Sequence, residues 1–262
     1  VLALALTCFA AQQTRGNGAP RAAATPDEER LVYRVQWDPP WYLFFIPKVD
    51  AGEVALEYSG EVEYEGRKAS RMSLKALSSG SLAKISGMKI EDELNFYTEP
   101  GTYCTLSASE KIREGKRKRQ IDVQYFRDPG RLHIREVDES TVPPKVRKDE
   151  TKNNIPECVH DPLSALFMFR QLPLRSQFSQ TFVLANDDKI REVRGRVEKK
   201  DTVDLASGKI DAWQISTAAL MGGLFKEGGQ FKVWLSADDK KVPVQFEARV
   251  RLGRVLGKLK SD

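Results

Sequence analysis

The stretch Ile155–Leu174, IPECVHDPLSALFMFRQLPL, limits what this chain can fold into more than any other. It reads as one helix in a chain that otherwise reads as strands. Asp161 suits the N-cap, because its carboxylate can accept from the first free backbone N–H groups. Pro162 follows at the first helical position, where a missing N–H costs nothing. Pro173 ends the helix by removing a donor and pushing Leu172 towards extended backbone. Between them Leu163, Ala165, Leu166, Phe167, Met168, Phe169 and Leu172 leave only Ser164, Arg170 and Gln171 polar. A surface helix carries one apolar stripe, so a helix apolar nearly all round must be covered on most sides. The expectation is a buried helix over about Pro162 to Leu172, lying in the concave face of a curved sheet.

The rest of the chain supplies that sheet. Leu31–Trp37 alternates and predicts a first strand. Gly52–Tyr58, continued by 61–65, then Ala69–Leu77, Lys89–Tyr97, Cys104–Arg113, Lys118–Phe126 and Leu132–Val137 predict further short strands. Glu99-Pro100-Gly101, Glu114-Gly115 and Asp128-Pro129-Gly130 punctuate them as turns. Asp138–Glu157 is polar, carries three prolines and reads as a loop into the helix. Beyond the helix, strands are expected at 177–185, 190–199, 209–218, 230–236, 242–251 and 254–258, with hairpin turns at 186–189 and 237–240. Gly222-Gly223 and Gly228-Gly229 bracket what reads as a flexible loop. The fold class is therefore mainly β: a large curved antiparallel meander, or incomplete barrel, wrapped around one helix.

The N-terminus reads differently. Val1–Ala11 is a short apolar run, too short to span a bilayer and similar to the h-region of a secretory signal. Residues 12–25 are rich in Gly, Ala, Gln and Arg and read as a tether. This predicts a signal-like segment and tether over 1–26 and one β domain over 27–262. Cys8 stands where a bacterial lipoprotein carries its lipidated cysteine, although Ala5-Leu6-Thr7 departs from the small residue expected before it. Lipidation, simple cleavage and an uncleaved anchor stay open, and each would allow membrane association through the N-terminus. The remaining cysteines, Cys104 and Cys158, predict one disulfide in an oxidising compartment; the alternative is two separate buried thiols.

There is no GxSxG, HExxH, phosphate-binding loop or dinucleotide fingerprint. Of the two histidines, His133 falls on a strand and His160 precedes the N-cap, where Asp161 is already explained by capping. Asp187-Asp188 and Asp238-Asp239 fit turns better than a metal site. No catalytic residue, metal or cofactor is expected, although a carboxylate-based hydrolase stays open as a third reading. Net charge is +5, from 42 basic and 37 acidic residues, and the basic segment 111–119 (KIREGKRKR) carries no interleaved aromatic. It reads as a hairpin tip in water, so no nucleic-acid partner is expected; contact with anionic head groups is the functional alternative. Arg170 on the greasy helix must either reach an edge or meet a carboxylate from the sheet.

Three segments together, PECVHDPLSALFMFRQLPL, QFKVWLSADDKKVPVQFEARV and GEVALEY, resemble an exported bacterial family known as domain of unknown function 3108. The resemblance covers Leu31 to Lys258. It implies an envelope protein with an antiparallel β architecture, similar to the half-barrels of periplasmic lipoprotein and lipid carriers. The family offers no agreed catalytic residues, so none is carried over.

The functional expectation is a non-enzymatic exported protein, periplasmic or membrane-tethered, binding a lipid-like or amphipathic ligand in the concave face. Trp41, Tyr42, Phe44, Phe45, Phe167, Phe169 and Arg170 are the candidate lining residues. The alternative is a structural or assembly factor of the envelope, with a solid core and a protein partner.

Overall fold

The structure is a computed structural model and describes residues 27–43, 45, 47–81, 84, 87, 89–186, 189–218, 230–249 and 253–260. The expectations for Cys8 and the 1–26 segment, Phe44, Asp187-Asp188 and the glycine-bracketed loop lie outside the described residues.

Eight strands precede the helix: β1 (Glu28–Asp38), β2 (Val49–Tyr64), β3 (Arg67–Ser78), β4 (Glu91–Thr98), β5 (Thr105–Glu114), β6 (Arg117–Phe126), β7 (Arg131–Asp138) and β8 (Lys145–Asn153). After α1 (Pro162–Arg170) come β9 (Ser179–Asn186), β10 (Lys189–Leu205), β11 (Gly208–Ala218), β12 (Gln230–Ser236), β13 (Pro243–Arg249) and β14 (Arg254–Leu259). They form one 14-stranded antiparallel sheet in the order β8-β7-β6-β5-β4-β3-β2-β1-β14-β13-β12-β11-β10-β9. Two meanders are thus stitched together where β1 meets β14, with Tyr33 opposite Leu259. The sheet is not closed, and its free edges, β8 and β9, are the two strands that flank α1 in sequence.

The helix-bearing segment draws the far ends of the sheet together. Thr105 N–H at the start of β5 donates to Val159 O (2.8 Å), while His160 N–H donates to Val183 O on β9 and Ala185 N–H returns to His160 O, both at 2.8 Å. Two consecutive residues therefore fasten the first meander to the outer edge of the second. The half-barrel expectation holds in this form.

Alternation follows the pattern read from sequence over most strands. On β1, Leu31, Tyr33 and Val35 are buried; on β6, Ile121, Val123 and Tyr125 are. β8 is a correction, because 138–157 was expected to be a loop. Nearly every residue of β8 is exposed on both faces, so no apolar period marks it. A charged edge strand is the form in which a sheet end resists pairing with other chains.

A second departure is the length of β10, which runs on past Lys199 to Leu205. Its register against β11 shifts between Val197 and Lys199. Beyond this bulge Val203 and Ala212 pack with Trp234 and Val244 as a separate cluster. Trp234 alternates with the inward Val233 and Leu235, so this cluster lies on the outer side. Lys258 on β14 donates to Asp204 O (2.7 Å), which holds the hairpin end down.

Candidate functional site

The helix divides the interior. Asp161 Oδ1 accepts from Leu163 N–H (2.8 Å) and Ser164 N–H (2.9 Å), which is the expected cap. Thr105 completes it: its hydroxyl donates to Asp161 Oδ2 (3.0 Å) and accepts from Asp161 N–H (2.8 Å). Burial pushes the Asp161 carboxyl up, although these hydrogen bonds pull the other way. Leu163 and Phe167 pack into the first meander, where the Phe167 ring stacks on Tyr58 at 4.6 Å. Burial pushes the Tyr58 hydroxyl up to about 12. Ala165 and Phe169 pack into the second meander. Gly195 on β10 makes room there, since a Cβ would lie 2.8 Å from the Phe169 ring.

The helix end is clamped by charge. Arg170 is buried and donates to both oxygens of Glu29 on β1, at 2.6 and 3.0 Å, and to Lys240 O at 3.2 Å. Its guanidinium also sits 4.9 Å from the Phe167 ring centre. Lys241 Nζ donates to Leu172 O (2.6 Å), so the β12–β13 turn grips the helix at two points. Of the two expected fates of Arg170, the sheet carboxylate is the one found. Sequence reasoning missed Glu29 itself. The usable signal was parity: Glu29 shares the face of Leu31, Tyr33 and Val35, and a charge on an apolar face needs a buried partner.

Beyond the helix the concave face opens. Leu56, Met72 and Phe96 are buried, but Val54, Leu74 and Leu94, which point inward by the same alternation, are only half-buried. Leu56, Leu74 and Leu94 form one cross-strand row, and it continues through Glu110, Ile121 and Glu136. Arg119 pairs with Glu136 at 2.5 Å. Further on, Asp138 accepts from the Ser140 hydroxyl, from Arg147 (2.6 Å) and from Ser140 N–H (3.0 Å), which together hold its carboxyl well below the usual carboxylate range. The trough therefore grades from apolar beside the helix to charged at its far end.

The candidate lining residues separate into two groups. Phe167, Phe169 and Arg170 lie together in the interior. Trp41, Tyr42 and Phe45 lie beyond the other end of β1, and Trp41 and Phe45 are 86% and 68% exposed. Between Glu29, which holds Arg170, and Asp38, β1 rises by roughly 30 Å. From sequence the aromatic stretch after Pro39-Pro40 reads either as a loop capping the core or as a greasy rim, and the exposure of Trp41, Tyr42 and Phe45 fits the rim. The KIREGKRKR segment is the β5–β6 hairpin, and Arg113, Arg117 and Arg119 are paired with Glu139, Glu114 and Glu136. His133 is half-buried on the outer face and meets Asp149 at 2.8 Å. On that face a groove of about 390 Å³ runs between the stacked Tyr64–Tyr97 pair and His133 and Arg135. Cys104 and Cys158 form the expected disulfide, with Cα atoms 5.2 Å apart.

His160 sits beside that disulfide. Its Nδ1 lies 3.1 Å from Tyr103 O, and burial pushes its pKa below the ordinary histidine value. A histidine in an unfolded chain takes up its proton near pH ~6.5. The folded one resists until lower pH, so its contribution to stability is full above the ordinary value and falls as pH drops through that window. The melting temperature is expected to decline between mildly alkaline and mildly acidic pH. A His160→Asn variant, which keeps a donor for Tyr103 O, should decline less steeply. An equal slope in both proteins would assign the titration to another group.

Comparison with known proteins supplies a family and a fold. The profile of the family described as "Protein of unknown function (DUF3108)" matches residues 32–260. No curated protein matches the chain. The crystal structure of a beta-barrel-like protein of the domain of unknown function DUF1849 from Brucella abortus superposes with a TM-score of 0.56, over 92% of this chain and 97% of that one. The two are 12% identical, so the likeness speaks for the fold alone.

Proposed function

The chain belongs to the DUF3108 family, whose function is unknown, and from that premise we propose a non-enzymatic, exported protein of the bacterial envelope that holds a lipid-like or amphipathic ligand in its concave face. The ligand lies beside the helix, in the trough that α1 leaves uncovered. One observation carries this reading. Val54, Leu74 and Leu94 point inward yet stay half-buried, and their row runs on into Glu110 and the Arg119–Glu136 pair. An apolar floor ending in paired charges suits a molecule with a greasy tail and a polar head. The disulfide is compatible with an oxidising, extracytoplasmic compartment. Among the described residues no helix is long and apolar enough to cross a membrane.

Native mass spectrometry of the protein purified from its host envelope tests this. A bound species of lipid mass is expected, and it should be lost from Leu74→Glu, which places an unpaired charge on the trough floor. Wild-type protein that carries no such species would overturn the reading.

A second reading has its own support. Phe167 is 0% exposed, and Phe169 and Arg170 are buried with it, so the helix-filled part of the interior is solid. That suits an envelope assembly factor whose partner is another protein bound on the outside. Under this reading Leu74→Glu changes no bound mass.

A further inference from the structure

The disulfide has a base beside it. His160 Nε2 lies 3.7 Å from Cys158 Sγ. Its other nitrogen, Nδ1, lies 3.1 Å from Tyr103 O. A carbonyl oxygen only accepts, so Nδ1 carries the hydrogen and Nε2 turns a lone pair towards the sulfur. The ring is held there by the edge of Phe182, 5.6 Å away, and by backbone pairing of His160 to Val183 and Ala185. The nearest carboxylate in sequence, Asp161, is turned to the helix N-terminus and Thr105, so it does not bias the imidazole by contact. Burial favours the neutral imidazole while the disulfide is closed; a thiolate beside it favours the protonated form instead.

The two sulfurs are unequal. Cys104 is buried, with its Sγ 3.9 Å from Thr102 O. Cys158 is half-buried, in the segment between β8 and α1. Within a disulfide, a lone pair aimed at sulfur has no proton to accept. Once the bond is open, Nε2 can take the Cys158 proton and leave a thiolate beside an imidazolium, the arrangement that makes a cysteine reactive near neutral pH.

We propose that Cys158 is the exchange-reactive sulfur of this pair, with His160 as its base, and that the site undergoes thiol–disulfide exchange with an envelope dithiol or disulfide protein. In the reductive direction a partner thiolate attacks Cys158 Sγ. The bond to Cys104 breaks, Cys104 leaves as a thiolate that takes a proton from solvent, and the partner stays linked to Cys158. The partner's second thiol gives its proton to His160 Nε2, and its thiolate then attacks its own linked sulfur. Cys158 departs as a thiolate paired with the imidazolium, and the partner becomes a disulfide. In the oxidative direction Cys158 gives its proton to Nε2, and its thiolate attacks a partner disulfide. The departing partner thiolate takes that proton; Cys104 then loses its own proton to solvent and attacks Cys158 Sγ as a thiolate, and the displaced second partner thiolate takes up a proton as the Cys104–Cys158 bond is restored. Two electrons and two protons pass between the chains in either direction.

The test uses full-length protein carrying Cys8→Ser, with a chelator present. The chelator matters because the sulfurs and a His160 nitrogen lie within 4.8 Å of one another and could hold a metal once reduced. Oxidised protein is exposed briefly to glutathione, quenched in acid and mapped by mass spectrometry. Glutathione is expected on Cys158 and in large excess over Cys104. Glutathione on Cys104, or equally on both, overturns the proposal. Reduced protein shown by circular dichroism to remain folded is then alkylated across pH. Cys158 should react with an apparent pKa below the ordinary thiol value of about 8.5, and His160→Asn should move that profile back up. A Cys158 profile unmoved by His160→Asn removes the base from the proposal and overturns it. The first measurement stands on the native oxidised protein if reduction unfolds the chain.

Discussion

Phe167→Ala should lower the unfolding free energy by about 3–5 kcal/mol, the range for emptying a fully buried aromatic site. Phe167 is 0% exposed, lies against Tyr58 and Tyr103, and carries the Arg170 guanidinium over its ring. None of these neighbours can follow the missing ring. Tyr58 is fixed in the middle of β2, and Arg170 is held by Glu29. A domain has only ~5–15 kcal/mol to lose, so the variant should unfold at markedly lower denaturant concentration. The measurement is equilibrium denaturation of purified protein, repeated after addition of an envelope lipid extract. If α1 were a lid over a ligand, the melting temperature would hardly change and lipid binding would weaken instead. The burial of Phe167 on both counts, against sheet and against its own helix end, argues for the plug.

The second large effect is expected at the helix clamp. Among the described residues, Glu29→Ala leaves only Lys240 O to accept from the buried Arg170 guanidinium. Removing one partner of a buried ion pair typically costs about 3–5 kcal/mol. The same reasoning predicts a contrast. Replacing both members, Glu29→Leu with Arg170→Met, removes the desolvation penalty along with the attraction and should cost far less than Glu29→Ala alone. A double-mutant cycle by chemical denaturation reads this directly. A double variant as unstable as Glu29→Ala would mean that the lost attraction, rather than a stranded buried charge, accounts for the cost.

These two sites also show how far the sequence could be read. The helix was legible because its caps are local chemistry: Asp161 bonds residues two and three positions on, and Pro162 and Pro173 act through their own rings. Its burial was legible because an all-round apolar helix has no face to give to water. The strands with one wet face announced themselves by period two. β8 did not, because a charged edge strand is wet on both faces and has no period. The continuation of β10 to Leu205 was hidden by the bulge at Val197 and Lys199, after which the apolar positions serve the other side of the sheet. The sequence left Trp41, Tyr42 and Phe45 between two readings, core cap and rim, for a related reason. Aromatic density says that a segment avoids water but not which surface it joins, and the length of β1 carries this one away from the helix. Glu29 and His160 took their roles from partners far off in sequence, Arg170 and Tyr103, which only the folded sheet brings near.

The seam between β1 and β14 has a consequence in time. Every other pair of neighbours in the sheet is also adjacent along the chain and can form as a local hairpin; this one joins Tyr33 to Leu259. Long-range pairings of this kind form slowly, since the intervening chain must first be ordered. As the polypeptide is made, β1 has β2 on one side and an open row of backbone donors and acceptors on the other until residues 254–259 exist. Lys240 and Lys241, which grip the helix, are also late to be made. For most of synthesis the nascent chain is thus a half-sheet whose β1 edge is bare as well as its β8 edge, the condition in which strands add to the wrong neighbour. Arg30 and Arg34, exposed on β1, place charge along that edge for as long as it waits.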